Sequence, residues 1–250
     1  MKTLLKSTRE NVYHAPIIPW NNGTYTPISN KSIMDLMDEK LRELDLRIKS
    51  EEYHVTTSNE GLVKGVIGKY YISSSDGEFG QQVLFRNSYD KSMSFCFAEG
   101  LLVWCCTNGC VSGDYTYKRV HKGTFDDDNS SSTWYDIMDN INTGFSHLQE
   151  SYETTIFQMN QLKKFEISPT DVYNILGELF LDKQIVSITQ MSIIKRELEK
   201  SVNFRHLGDK DFSAYDLYNH VTESLKSSHP TTYISDHTGL HRLFEEKFGV

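Results

Sequence analysis

The chain has 250 residues, 38% hydrophobic and 24% charged, with a formal net charge of −8. It is long enough for one large domain or two small ones, and the composition fits an ordinary soluble globular protein. The acidic balance repels nucleic acid and anionic membranes at the level of the whole molecule, so such binding needs a local basic patch; no apolar run approaches the roughly 18–20 residues of a membrane span.

The N-terminal MKTLLKSTRENVYH has a two-leucine apolar patch, shorter than the ~7–15-residue core of a signal peptide. The expected location is therefore the cytoplasm, where disulfides are rare. Pro16, Pro19 and Pro27 punctuate residues 1–28, which predicts an extended arm or edge strand and no helix. Ile33, Leu36, Met37, Leu41, Leu44 and Ile48 then recur at helical spacing, and Ser32 with Asp35 resembles a capping box, so a helix is expected to start near Ser32.

From Tyr53 to His121 the period changes to two. LVKGVIGKYYI, QQVLFRNS, MSFCFAEG and DYTYKRVHKG alternate with turn signals such as Asp76-Gly77, while LLVWCC is apolar throughout and reads equally as a buried strand or the start of a buried helix. The region predicts an antiparallel meander of four or five strands, one face covered by the preceding helix. TFDDDNSSSTW reads as a linker. Beyond it Ile137, Ile141, Phe145, Leu148 and Tyr152 mark a helical stripe, and Ser168 before Pro169 marks a capped start. ITQMSIIKRELEKSV and DFSAYDLYNHVTESLKSSHP give further helices. The fold class expected is α+β, with residues 1–124 carrying the sheet and 125–250 mainly helical.

The usual catalytic signatures (phosphate-binding and dinucleotide glycine loops, the nucleophile elbow, His-Glu-x-x-His) are missing, so a non-enzymatic role without cofactor is expected. The four cysteines, Cys96, Cys105, Cys106 and Cys110, lack the paired spacing of a zinc site and read as small apolar residues. Asp126-Asp127-Asp128 lacks the spacing of a calcium loop. His237 and His241, four apart, have no clear third ligand, so no metal is expected. Cys106 as a nucleophile has only His121 as a nearby base in sequence, and a buried thiol is the favoured reading.

The strand DYTYKRVHKG is the most informative signal. Period two puts Tyr115, Tyr117, Arg119 and His121 on one face and Lys118 and Lys122 on the other, a pattern that suits base stacking and phosphate contact. Between Lys64 and Gly123 seven cations face five acids, about +2, against −10 for the remainder. Arg86 lies in the same window and is expected to join Lys118, Arg119 and Lys122 in neutralising phosphates.

FRNSYDKSMSFCFAEGLLVWCCTNGCVSGDYTYKRVHKG resembles the centre of the phage/plasmid-like proteins catalogued as domain of unknown function 932. The matches are Asn87, Ser88, Asp90 and Ser92, then Cys106, Asn108, Gly109 and Gly113, then His121 and Gly123. AYDLYNHVTESL is similar to a second block of that family through Leu217, Tyr218, Asn219, Val221, Thr222 and Glu223. Departures are Tyr89 for the usual histidine, Lys91 for the usual glycine and Cys110 for an apolar residue. The resemblance implies a protein of a mobile element, located in host cytoplasm or virion. The order of elements is also similar to that of phage single-strand annealing recombinases, an architectural analogy. The leading expectation is a homo-oligomeric single-stranded DNA-binding protein. In it Tyr115 and Tyr117 stack, His121 adds a hydrogen bond or charge, and Asn108, Gly109 and Gly113 form a structural turn. The rival is a protein–protein component, a virion part or an anti-defence factor that binds a phage or host protein and no nucleic acid.

Overall fold

A computed structural model describes residues 5–17, 27–73, 77–105, 108–110, 117–119 and 132–250. The strands are β1 (Leu5–Ser7), β2 (Ile48–Thr57), β3 (Val63–Ile72), β4 (Phe79–Ser88), β5 (Phe95–Val103), β6 (Asn108–Cys110) and β7 (Tyr117–Arg119). The helices are α1 (Arg9–Tyr13), α2 (Asn30–Glu43), α3 (Ser132–Leu162), α4 (Pro169–Gly177), α5 (Ile188–Lys200), α6 (Ala214–Leu225) and α7 (Tyr233–Phe248), so the chain is α+β, a sheet followed by helices. The sheet order is β1-β2-β3-β4-β5-β6, with β7 also pairing β5. Two compact units interleave along the chain. Unit 1 comprises Met1–Ser75, Gln81–Glu99 and Tyr115–Gln149; unit 2 comprises Asp76–Gly80, Gly100–Asp114 and Glu150–Val250.

In unit 1 the N-terminal segment supplies the expected edge strand, since β1 pairs antiparallel with β2. It also forms α1, which the prolines do not prevent because the helix ends at Tyr13, before Pro16. Thr8 caps α1 by accepting from the Asn11 amide at 3.3 Å. Arg9 then ties α1 to its neighbours, donating to Glu51 at 2.7 Å and pairing with Asp38. Burial works against the Arg9 charge, but the Glu51 hydrogen bond and nearby charges outweigh it and raise the guanidinium above its ordinary value.

Helix α2 begins three residues earlier than its spacing suggests. Ser29 is the cap, accepting from the Ser32 amide at 3.0 Å, while Asp35 turns outward to Tyr13 and Lys31, both at 2.9 Å. The helix stops at Glu43 and Asp45 takes a positive φ of 53°, so Ile48, on the same stripe in sequence, opens β2 instead. Ile33, Met34, Leu36, Met37 and Leu41 of α2 pack with Tyr53, Val55, Val66, Tyr70, Val83, Phe85, Phe95 and Phe97 of the strands and Ile137, Ile141 and Phe145 of α3. Gly68 is required here: a Cβ on it would stand 2.3 Å from the Phe85 ring that crosses it.

The opposite face of these strands is also buried. Ile67, Leu84, Cys96 and Ala98 alternate with the core residues and are all shielded from solvent. The preceding helix covers one face as expected, and apolar residues of both parities of β3 to β5 are buried.

In unit 2, α4 to α7 and the end of α3 enclose a second core with Phe79, Leu101 and Val103. Three helices start with complete capping boxes: Ser168 with Asp171, Ser187 with Gln190, and Ser213 with Asp216. A π-helical turn, Glu178–Asp182, continues α4. Phe79 meets Tyr215 edge to face at 6.4 Å, and Glu78 accepts from Lys163 at 2.7 Å and from the Tyr215 hydroxyl at 3.1 Å. Among the described residues no helix is long and apolar enough to cross a membrane.

Candidate functional site

Of the residues read as a nucleic-acid face, the structure describes the backbone of Tyr117, Lys118 and Arg119 as strand β7. It lies antiparallel on β5 with Phe97↔Tyr117, Cys96↔Lys118 and Phe95↔Arg119. The first three residues of β5 are thereby flanked by β7 and the last three by β6, where Leu101 meets Cys110 and Val103 meets Asn108. Among the described strands β7 pairs with β5 alone. Tyr115, His121, Lys122 and Gly113 lie outside the described residues.

Two of the sequence expectations are corrected. Arg86 does not stand on a surface: it is 4% exposed on β4, and its guanidinium donates to the Ser94 carbonyl and hydroxyl at 3.4 Å. Burial lowers its pKa, as expected for a cation withdrawn from water. Its apolar cross-strand partner Ile67 shows why: the alternation that places Arg86 opposite the main core places it on the second buried face. Asn108 and Gly109 are not a turn either. They are strand residues of β6, paired with Val103 and Leu102 of β5. The apolar run LLVWCC ends its strand at Val103, so the reversal comes before Asn-Gly rather than at it.

The other matched residues build the β4–β5 turn. The Asn87 amide donates to the Ile28 carbonyl at 2.9 Å and to Asn30 Oδ1 at 2.8 Å. Ser88 Oγ donates to the Met93 carbonyl at 2.7 Å, and Asp90 accepts from the Ser92 amide at 3.1 Å. Lys91, standing where the resembled family has glycine, adopts a positive φ of 61°, the conformation glycine enters most easily. Asn87 and Ser88 are thus buried and held by these bonds.

The C-terminal histidines are buried groups of unit 2. His241 lies between the Tyr218 hydroxyl (3.3 Å from Nδ1) and Gln158 Oε1 (3.1 Å from Nε2), with Glu245 at 3.8 Å. His237 packs on the Tyr233 ring at 4.5 Å. His220 faces the Phe212 ring at 6.0 Å, its Nε2 bonding the Arg205 carbonyl at 2.8 Å, and burial pushes its pKa down. Among the described residues no three His, Cys, Asp or Glu side chains are grouped to hold a metal. Cys96 is buried, Cys105 is exposed, and both are free thiols.

Sequence reading missed a groove in unit 2 of about 850 Å³. One wall is Tyr173, Leu176 and Gly177 of α4; the other is Ile188, Met191, Ser192, Lys195, Leu198 and Glu199 of α5; His206 and Leu207 also line it. The buried side of α5 is the stripe Gln190, Ile194 and Leu198, so Ile188 and Met191 form a second apolar stripe beside it. That excess of apolar positions over what one helix face needs was the available signal. Tyr173, Leu181, Ile188 and Val202 are the four most exposed large hydrophobic residues among those described, and all belong to this stretch of unit 2.

The units also differ in charge. Unit 1 holds 15 Lys and Arg against 16 Asp and Glu, net −1; unit 2 holds 11 against 18, net −7. No family model, curated protein or solved structure matches the chain.

Proposed function

We propose that the chain is a non-enzymatic, phage- or plasmid-encoded protein of host cytoplasm or virion. In this reading it binds single-stranded DNA along β7 and acts as a homo-oligomer in annealing during recombination or replication. The observation that carries the reading is the laying of Tyr117, Lys118 and Arg119 as an outer strand on β5. In an alternating segment with Tyr115, His121 and Lys122, such a strand offers aromatic faces to bases and cations to phosphates. The near-neutral balance of unit 1 supports it, since a polyanion meets far less repulsion there than at unit 2. His121 contributes a further charge below neutral pH.

The test is a salt titration of the full chain with a labelled oligothymidylate. Affinity falls steeply with salt, and Arg119→Ala with Lys122→Ala lowers the log–log slope by about 1.4, two phosphates at about 0.7 each. No binding at low salt, or a slope unmoved by the double variant, overturns the reading. Rings or filaments seen with single-stranded DNA are the expected assemblies, and a monomer under all conditions contradicts the annealing role.

A second reading, a protein–protein component without nucleic-acid binding, is favoured by the exposed apolar side chains of the acidic unit 2. An acidic surface suits a basic partner. Absent nucleic-acid affinity together with a defined complex with one capsid or host protein is its signature.

A further inference from the structure

We propose that residues 202–211, between α5 and α6, form a flap latched on the His220 imidazole and released when that imidazole takes up a proton. The inference concerns unit 2 alone and is independent of what β7 binds.

The flap is lightly held. None of its residues is buried, and Val202 at its start is 95% exposed. Phe204 and Leu207 are its apolar side chains on the second core, both only partly buried. So few apolar contacts put a segment at the low end of local stability. Its ends are set by the backbone. On one side Ser201 closes α5 in an extended conformation, its amide on the Glu197 carbonyl at 3.0 Å. On the other, Asp211 takes a positive φ of 64°. Just beyond, the Phe212 carbonyl accepts from the Ile167 amide at 3.0 Å and the Ala214 amide donates to the Phe165 carbonyl at 2.8 Å. The capping box of Ser213 and Asp216 starts α6 from its own residues, so the helix does not depend on a closed flap.

The latch is one buried ring. His220 is 1% exposed, and its Nε2 lies 2.8 Å from the Arg205 carbonyl of the flap. The Phe204 ring of the flap meets it edge to face at 6.0 Å, and the Phe212 ring stacks on it at 6.0 Å. A carbonyl only accepts, so Nε2 carries the proton and Nδ1 is bare. Nδ1 is buried and has no hydrogen-bond partner. A proton from solvent would make Nδ1 a donor without an acceptor and leave a charge out of water; the two rings return only part of the hydration lost.

The facing charges are divided. Asp216 of α6 and Glu197 of α5 favour the imidazolium, His206 of the flap opposes it, and burial outweighs them all and holds the ring neutral. Arg205 pairs with Asp216 at 3.6 Å and His206 with Asp209 at 3.7 Å, while Lys210 and Asp211 are exposed. Opening the flap hydrates the ring and lets Nδ1–H donate to water, so acid favours the open form. Opening also withdraws His206 and Leu207 from the groove they line with α4 and α5, which couples that groove to pH.

The experiment follows hydrogen exchange of the full chain from about pH 7.5 to about pH 5, a window around the ordinary imidazole value, corrected for the intrinsic pH dependence of exchange. The reporters are the amides of Arg205, His206 and Leu207, which donate to Asp216 at 3.2 Å, Asp209 at 2.7 Å and the Leu198 carbonyl at 2.9 Å. The amide of Leu240 in α7 reports opening of the whole unit. Flap opening should rise up to tenfold per pH unit below about pH 6.5, without a matching rise at Leu240. His220→Gln, which can still donate to the Arg205 carbonyl but takes no proton, should abolish the rise. His206→Gln should keep it, because an imidazolium at 206 gains Asp209 and tightens the flap. Opening that ignores pH, a rise shared by Leu240, a rise that survives His220→Gln, or one that vanishes with His206→Gln overturns the proposal. The unsubstituted chain gives a second reading. Ring-nitrogen chemical shifts should show Nδ1 of His220 bare in the closed flap and protonated in step with opening, and a ring protonated under a closed flap contradicts the latch.

Discussion

Unit 1 buries polar side chains on strands: Lys69, Gln82, Arg86 and Asn87 are all shielded on β3 and β4. Unit 2 buries them on helices: Gln158, Gln190, Asp216, Asn219, Thr222 and His241. The partners are chosen differently. On the helices several lie within one turn, as when Asn219 donates to the Tyr215 carbonyl at 2.9 Å, Thr222 to the Asn219 carbonyl at 3.0 Å, and Ser213 and Asp216 close a capping box. On the strands Asn87 reaches Ile28 and Asn30, far off in sequence, while Arg86 bonds Ser94 across the β4–β5 connection. Asn219, Thr222 and Asp216 are therefore explained by their own helical neighbourhood, while Asn87 is explained only by what covers the sheet.

The largest effects separate the two cores. Phe85→Ala in unit 1 and Leu240→Ala in unit 2 each empty a fully buried site and are expected to cost about 3–5 and 2–5 kcal/mol respectively. Hydrogen exchange read amide by amide, under conditions that favour local opening, should show each loss concentrated in its own unit. Equal deprotection of both units by either variant breaks the distinction between them.

Arg86 gives the next effect. Arg86→Ala should lower stability by about 2–4 kcal/mol, whereas Arg86→Met, which keeps the volume and drops the buried charge, should cost much less. Neither should alter the salt slope of DNA binding. A slope reduced by Arg86→Met with stability intact would return Arg86 to the binding surface.

The smallest effect is in pH. Burial lowers the pKa of His220 in unit 2 and of His54 in unit 1 below the ordinary 6.5. As pH falls below about 6.5 the unfolded chain takes up protons that the folded chain refuses, so stability is full above that pH and declines below it. Each such group contributes at most about 1.4 kcal/mol per pH unit. His220→Gln should flatten the acid limb of a denaturant-midpoint profile by up to that amount and leave the His54 contribution. An unchanged limb contradicts the assignment.

The same contrast explains what was legible in the sequence. The antiparallel meander, the helical second half and the cap at Ser168 follow from period, composition and local spacing. Arg86 was misplaced because period two fixes which residues share a face but not which face is open. Asn108-Gly109 was misplaced because an Asn-Gly pair marks a permissive backbone, and the reversal had already occurred after Val103. The cap of α2 slipped from Ser32 to Ser29 because two serines three residues apart offer the same signal. The groove was missed since Tyr173 and Ile188, each apolar on a helix, read as core until packing shows them exposed.

The most direct test of the separate roles of the two units is a pair of exchange footprints on the full chain, one with an oligothymidylate of about 20 nucleotides and one on acidification without it. The prediction is two footprints without overlap: the oligonucleotide protects residues 117–119 and their β5 partners Phe95–Phe97, and acid deprotects residues 202–211. Oligonucleotide protection on residues 202–211, or none at β7, would contradict it.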